Sequence, residues 1–215
     1  DAEATDYSAD KAGGELAVLR SFGDHSLIAR PGLILGPREN IGRLPYWLDR
    51  MHRYDPVLAP GRPDRPLQYV DARDLAGWLV DRAADGLTGC FDTVSARGHA
   101  TTGSLLAACG AATGSSAELV WVEEAWLTDR DITGWVDLPV WAPLASEIDG
   151  LHGGNTAAAA AAGLRCRPIE ATVADTWTWL RESGLDQTPP RNDTYLSRER
   201  ELALLAEWGE RANQG

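Results

Sequence analysis

Tyr7 and Lys11 stand one helical turn apart in the stretch "DYSADKAGGELAV", and Lys11 is the only lysine of the 215-residue chain. Residues four apart on a helix share a face. The pair can therefore present a phenol and an ammonium to one cleft, a combination suited to moving a proton to or from a hydroxyl or carbonyl. A free phenol ionises only near pH ~10, and a positive charge held beside it favours the phenolate. Arginine supplies the rest of the 20 basic side chains. A compact ammonium that hydrogen-bonds a hydroxyl and a phenol does work for which a guanidinium is a poor substitute. The spacing alone also fits a helix-start aromatic followed by a solvated charge.

The elements that would position the pair can be read from periodicity and turn residues. Residues 8–23 read as a helix with Ala12, Leu16 and Leu19 near one face. "HSLIARPGLILGP" reads as a buried strand passing into a loop at Arg30–Pro31. "NIGRLPYWLDRMHRY" is a short helix, and "PVLAPG" and "PLQYVD" are short strands around a polar turn. "ARDLAGWLVDRAADG" is amphipathic, with Leu75, Trp78, Leu79 and Arg82 at helical spacing and Gly86 near its end. "GCFDTVS" is a strand, and "TTGSLLAACGAATG" a helix capped by Thr101 or Thr102. "AELVWVEEAWL" is a strand turning into a short helix, and residues 129–153 are irregular. "NTAAAAAAGLRCRP" is an alanine helix closed by Gly163 and followed by a short strand. "IEATVADTWTWLRESG" is a helix, "DQTPPRND" a polar linker, and "SRERELALLAEWGERA" a last amphipathic helix. Strands alternating with helices give the α/β class. The chain opens on a helix and contains neither GxGxxG nor a phosphate-binding loop.

The formal net charge of −12 argues against nucleic acid or an anionic membrane as partner. Cys90, Cys109 and Cys166 are widely spaced and form no CxxC pair, so no metal site is expected and reduced thiols in the cytoplasm are. No apolar run is long enough to span a bilayer. His25, His52, His99 and His152 show no ligand spacing. No serine sits in a GxSxG elbow, which leaves "HGGN" at 152–155 without a nucleophile to serve.

Taken together, YxxxK followed by a helix, then "LIARPGLILGP", then "RPLQYVDARDLA" resembles the C-terminal half of extended short-chain dehydrogenases/reductases, the NAD-dependent epimerase/dehydratase family. The resemblance runs in order from Tyr7 to about Arg167, and "AAGLRCRPIEATVADTWTWLRE" is similar to the family's closing segment. The tail "LSRERELALLAEW" resembles an extension seen in bacterial reductase-like members. The resemblance implies the C-terminal part of a Rossmann-type fold with a small substrate-binding subdomain and the N-terminal βαβ half absent. Residues 1–84 would be the end of the Rossmann core with interleaved substrate segments, 85–185 mainly the substrate subdomain, and 186–215 a linker and C-terminal helix.

On the same resemblance, Tyr7 would be the general acid/base. Lys11 would bind the nicotinamide ribose and favour the phenolate. Pro31, with the backbone of Gly32 and Leu33, would pack on the nicotinamide and bind its carboxamide. Arg65 matches a substrate-contacting arginine of sugar-nucleotide members, whereas Asp74 has a structural place near a helix start. The cofactor would be NAD or NADP, the partner a small-molecule substrate, and a homodimer could form through helix 8–23, where "GG" at 13–14 permits close approach.

Sugar-nucleotide members usually carry Asn where this chain has Leu33 and Tyr where it has Leu35, so "RPGLILGP" looks more like the reductase branch. The Trp-rich stretch from Trp121 to Trp141 would either line a less polar substrate pocket or pack in the core. The expected activity is hydride transfer between nicotinamide and a hydroxyl or carbonyl substrate. An epimerase or dehydratase, for which Glu3 and Asp6 offer extra acids, and a non-catalytic binding module of the same family stay as alternatives. With no glycine-rich half in residues 1–215, tight dinucleotide binding and turnover are expected of a longer parent rather than of this chain alone.

Overall fold

Strands of this chain pair almost entirely in parallel, and each parallel partner lies beyond at least one intervening helix. The computed structural model describes residues 6–144, 149–184 and 195–212. Strand β1 (Leu27–Arg30) pairs with β6 (Gly89–Asp92), β2 (Leu33–Leu35) with β5 (Tyr69–Asp71), and β3 (Val57–Pro60) with β8 (Leu119–Val122). Among the described residues, the single antiparallel pair joins β4 (Pro66–Leu67) to β7 (Ala100–Thr101). Parallel neighbours need crossover connections, and helices α2 (Arg43–Arg53), α3 (Ala72–Ala84) and α4 (Thr102–Thr113) supply them. The α/β class stands.

Local chemistry explains the helix ends. Asp6 caps α1 (Tyr7–Phe22), its Oδ1 accepting from Ser8 N–H at 2.8 Å and Ala9 N–H at 3.3 Å. That contact employs one of the two acids available to a dehydratase; the other, Glu3, lies outside the described residues. Thr101 and Ser104 form a reciprocal capping box at the start of α4. The helix ends at Gly114, whose positive φ of 69° a residue without Cβ adopts freely.

The main core joins α2, α4, α5 (Glu124–Thr128), α7 (Ile169–Ser183) and α8 (Arg198–Ala212) to β3, β8 and the β2–β5 pair, with Trp47, Tyr69 and Leu106 fully enclosed. Trp126 and Trp141 belong to this core, and Trp121 and Trp135 pack against it. A smaller cluster of Trp78, Ala159 and Leu164 seats α3 and the short α6 (Ala157–Ala161) against β1 and β6.

Two expectations need correction. "LIARPGLIL" forms two strands instead of one, because Pro31 and Gly32 interrupt the ladder and β2 takes β5 as its partner. Residues 164–168, where the strand was expected, form none. Arg167 gives its backbone N–H to Asp74 Oδ2 at 2.9 Å, and Pro168, which has no N–H to give, opens α7. The polar linker lies outside the described residues.

α8 is fastened by buried charge. Glu201 accepts from the Leu58 N–H at 3.0 Å and from Arg198 Nη1 at 2.9 Å, with Arg50 Nε at 3.3 Å. A buried carboxylate persists only when so surrounded. No helix among the described residues is long and apolar enough to cross a membrane.

Candidate active site

α1 carries Tyr7, Lys11 and Glu15 in succession at four-residue steps, and buries none of its side chains. Tyr7 is 74% exposed. Lys11 Nζ lies 5.3 Å from the centroid of the Tyr7 ring, so the ammonium and the phenol do share a face. Glu15 continues that face and grips Arg30 through two bonds, Arg30 Nη2 to Oε2 at 2.5 Å and Nε to Oε1 at 2.9 Å. The guanidinium holds the Glu15 carboxyl below the usual carboxylate range.

Arg30 is the last residue of β1, and Pro31 and Gly32 follow it, both exposed. The loop that the resemblance assigns to nicotinamide therefore sits at the carboxyl end of a parallel strand, where α/β sheets bind ligands. A Cβ added at Gly32 would lie 3.1 Å from Val94 Cγ1 and 3.8 Å from the Leu151 carbonyl. The absent side chain lets the chain pass close over these neighbours. Leu33 is different: its side chain is buried in the core, so only its backbone is available to a ligand.

Arg65 lies elsewhere, on the turn before β4. Its Nη2 donates to the Ala142 carbonyl at 3.1 Å, and its side chain lines a cleft of about 430 Å³ with Arg62, Glu123, Glu124 and Leu144. Glu124 braces this cleft, accepting from Trp141 Nε1 at 3.2 Å and from the Leu144 N–H at 3.1 Å.

Asp74, the residue given a structural place, pairs with Arg167 at 2.6 Å. Beside it, Asp71 caps α3 and has a fully buried side chain that accepts from Arg73 and from Thr172 Oγ1 at 2.9 Å. Burial pushes the Asp71 carboxyl up, but these donors outweigh burial and hold it below its ordinary value.

One buried polar group was not expected at this position. His152 Nδ1 accepts the Gln68 N–H at 3.2 Å, and Nε2 lies 3.2 Å from the Val140 carbonyl. One neutral tautomer satisfies both contacts: a lone pair on Nδ1 and a proton on Nε2. Burial holds the imidazole below its usual range. Gln68 then clasps Gly154 from both sides, its Oε1 accepting the Gly154 N–H at 2.8 Å and its Nε2 donating to the Gly154 carbonyl at 3.2 Å. The "HGGN" string is thus a loop fastener. Its sequence signal was the pair of glycines beside a histidine. Among the described residues, no group of three or more His, Cys, Asp or Glu side chains could hold a metal ion.

No family model and no curated protein matches the sequence. The solved structures decide the fold. WbmF of Bordetella bronchiseptica, in complex with NAD+, superposes with a TM-score of 0.61 at 17% identity, covering 96% of this chain and 60% of that one. The dTDP-4-dehydrorhamnose reductase of Yersinia enterocolitica gives 0.53 at 15%, covering 80% and 56%. The fold is that of NAD-dependent epimerases and reductases. The UDP-glucose 4-epimerase of Thermotoga maritima, solved with UDP-glucose, gives 0.55 at 17%, covering 82% and 53%. The chain spans a little over half the length of these structures. Partial coverage agrees with an α/β fold that holds part of a Rossmann-type domain.

Proposed function

We propose that these residues form part of a cytoplasmic NAD(P)-dependent oxidoreductase acting on a hydroxyl or carbonyl substrate, with Tyr7 as general acid/base. The observation that carries the reading is the Glu15–Arg30 contact, which fastens the Tyr7–Lys11 helix to the strand end that opens into Pro31–Gly32. The fit with a dinucleotide is chemical. Lys11 offers three donors to ribose hydroxyls, Pro31 offers an apolar face, and the Gly32–Leu33 backbone offers hydrogen-bonding groups to a carboxamide. Bound there, the nicotinamide would give or take a hydride. In the reducing direction, Tyr7 Oη gives its proton to the carbonyl oxygen of the substrate and becomes a phenolate, and Lys11 stabilises that charge. In the oxidising direction, the Tyr7 phenolate takes the proton back from the substrate hydroxyl. Residues 1–84 would supply this end of the dinucleotide-binding core and 85–185 mainly the substrate side.

The test is Tyr7→Phe in the protein purified from its source, assayed by NAD(P)H absorbance against a panel of carbonyl compounds. Loss of about 10²–10⁴ in kcat is expected for removal of a general acid. The exposed ring predicts no change in melting temperature. Unchanged turnover would overturn the assignment and favour a binding module.

A second reading, a sugar-nucleotide epimerase or dehydratase, rests on Arg65. That arginine lines the 430 Å³ cleft beside Arg62, which pairs with Asp64 at 2.6 Å, and beside Glu123 and Glu124; an arginine fork can hold two phosphate oxygens. Turnover of a nucleoside diphosphate sugar, reduced at least tenfold by Arg65→Ala, would favour it.

A homodimer through α1 accords with the exposed Leu16, Leu19 and Phe22 and with the open space around Gly13 and Gly14. Sedimentation of wild type against Leu16→Lys would test it, with a shift to monomer expected.

A further inference from the structure

The largest cavity among those described, about 790 Å³, opens between α2, α4 and α7. None of its lining residues belongs to α1, to the Pro31–Leu33 segment or to the cleft beside Arg65. Its charge is out of character with the chain. In a protein with 32 acidic and 20 basic side chains, the wall carries Arg53, Arg181 and His52 and no carboxylate.

These three groups are not equivalent. Arg53 is paired with Asp49, Nε to Oδ1 at 2.5 Å. Arg181 projects from α7 and makes no hydrogen bond or ion pair with a described residue. His52 is exposed and rests against the Trp177 indole, ring centroids 4.9 Å apart at 56°. The wall therefore offers a planar guanidinium fork, an imidazole and an indole within one concavity.

A bland explanation is that the cations answer the carbonyl end of α4, which also lines the cavity. The bonds there argue otherwise. The Gly114 N–H already serves the Ala111 carbonyl, the Ser115 N–H serves Gly110 at 3.0 Å, and Thr113 Oγ1 serves Cys109 at 2.9 Å. The Cys109, Gly110 and Ala111 carbonyls are thus taken by the chain itself, and neither His52 nor Arg181 donates to the helix end.

We propose that this cavity binds a small organic phosphate monoester carrying a planar ring. A guanidinium fork matches two phosphate oxygens, and the imidazole can add a third donor. A bare anion would leave most of 790 Å³ filled with water, whereas a ring beside Trp177 and His52 uses the apolar part of the wall. The three contributing helices pack directly on one another in the main core, so the backbone of the wall is fixed.

The probe is phenyl phosphate, titrated into the full chain and followed by calorimetry and by the His52 ring resonances. Saturable binding that shifts the His52 resonances and weakens about tenfold or more in Arg181→Gln is expected. Arg181 is exposed, so that variant should fold as wild type, checked by circular dichroism. No saturable binding, or binding equally tight in Arg181→Gln, would overturn the site. Inorganic phosphate binding as tightly as phenyl phosphate would overturn the ring requirement.

Discussion

The Glu15 carboxylate and the Arg30 guanidinium form a two-bond contact, with Nη2 to Oε2 at 2.5 Å, that links α1 to the end of β1. Glu15 stands one turn beyond Lys11 and two beyond Tyr7, while Arg30 directly precedes Pro31. An ion pair at the surface stabilises by only about 0.2–1 kcal/mol, so its importance here lies in placement.

Glu15→Gln should therefore change stability little and turnover more. A loss of less than about 1 kcal/mol in urea unfolding is expected, with a larger proportional fall in kcat/KM of the proposed reaction. The Glu15 carboxyl is held low in the folded state, so the contact contributes above the ordinary carboxylate range and is lost as pH falls through the lowered value. The stability difference between wild type and variant should thus vanish in acid.

Asp71 should be far less replaceable. Its buried carboxylate caps α3 and gathers Arg73 and Thr172. Asp71→Ala removes the α3 cap and leaves the buried Thr172 hydroxyl without its acceptor, while the exposed Arg73 keeps Asp175, and a cost of about 1–3 kcal/mol is expected. The held-down carboxyl again places this contribution at neutral pH, lost as pH falls below the usual aspartate range. Chemical denaturation of wild type and variant across that range checks both statements.

His152 gives a second, higher window. Protonation would set a proton on Nδ1 against the Gln68 N–H, which the ring already accepts. A folded-state value below the ordinary ~6.5 means that the unfolded chain binds the extra proton. Stability should be full above that pH and decline as pH falls below it. His152→Gln should flatten the slope between about pH 5 and 7, even if it lowers stability throughout.

The glycines separate into two kinds. A Cβ at Gly134 would come within 2.2 Å of Pro143 Cδ and 2.8 Å of the Trp141 carbonyl. Gly134→Ala should cost about 1–3 kcal/mol through overpacking. A Cβ at Gly13 meets nothing within 4 Å, so Gly13→Ala should raise helix stability by about 0.5–1 kcal/mol. If α1 pairs with a second copy, the same substitution should weaken that pairing, which sedimentation would register.

Most elements were legible because their local signals agree with their packing. Leu75 and Trp78 at helical spacing are the residues α3 buries, and the Thr101 cap was readable beside its helix. What escaped depended on distant partners. The strand expected after Gly163 fails because Arg167 answers Asp74, 93 positions away. The two strands of "LIARPGLIL" are separated by a choice of neighbours that a continuous apolar run does not encode. At the site, the Tyr7–Lys11 proximity follows from spacing alone. The Glu15–Arg30 fastening and the His152–Gln68 clasp were invisible, since exposed charge pairs and single buried histidines leave no periodic trace.

α1 buries no side chain, so it is held helical by hydrogen bonds and surface charge contacts such as its Asp6 cap and the Glu15–Arg30 pair, without core packing. Sixteen residues with two central glycines are marginal as a helix in water. Its amide protons should exchange with deuterated water orders of magnitude faster than those of α4 or α7. Whatever covers the Leu16–Phe22 face would slow that exchange, and would thereby also set how long Tyr7 and Lys11 stay aligned.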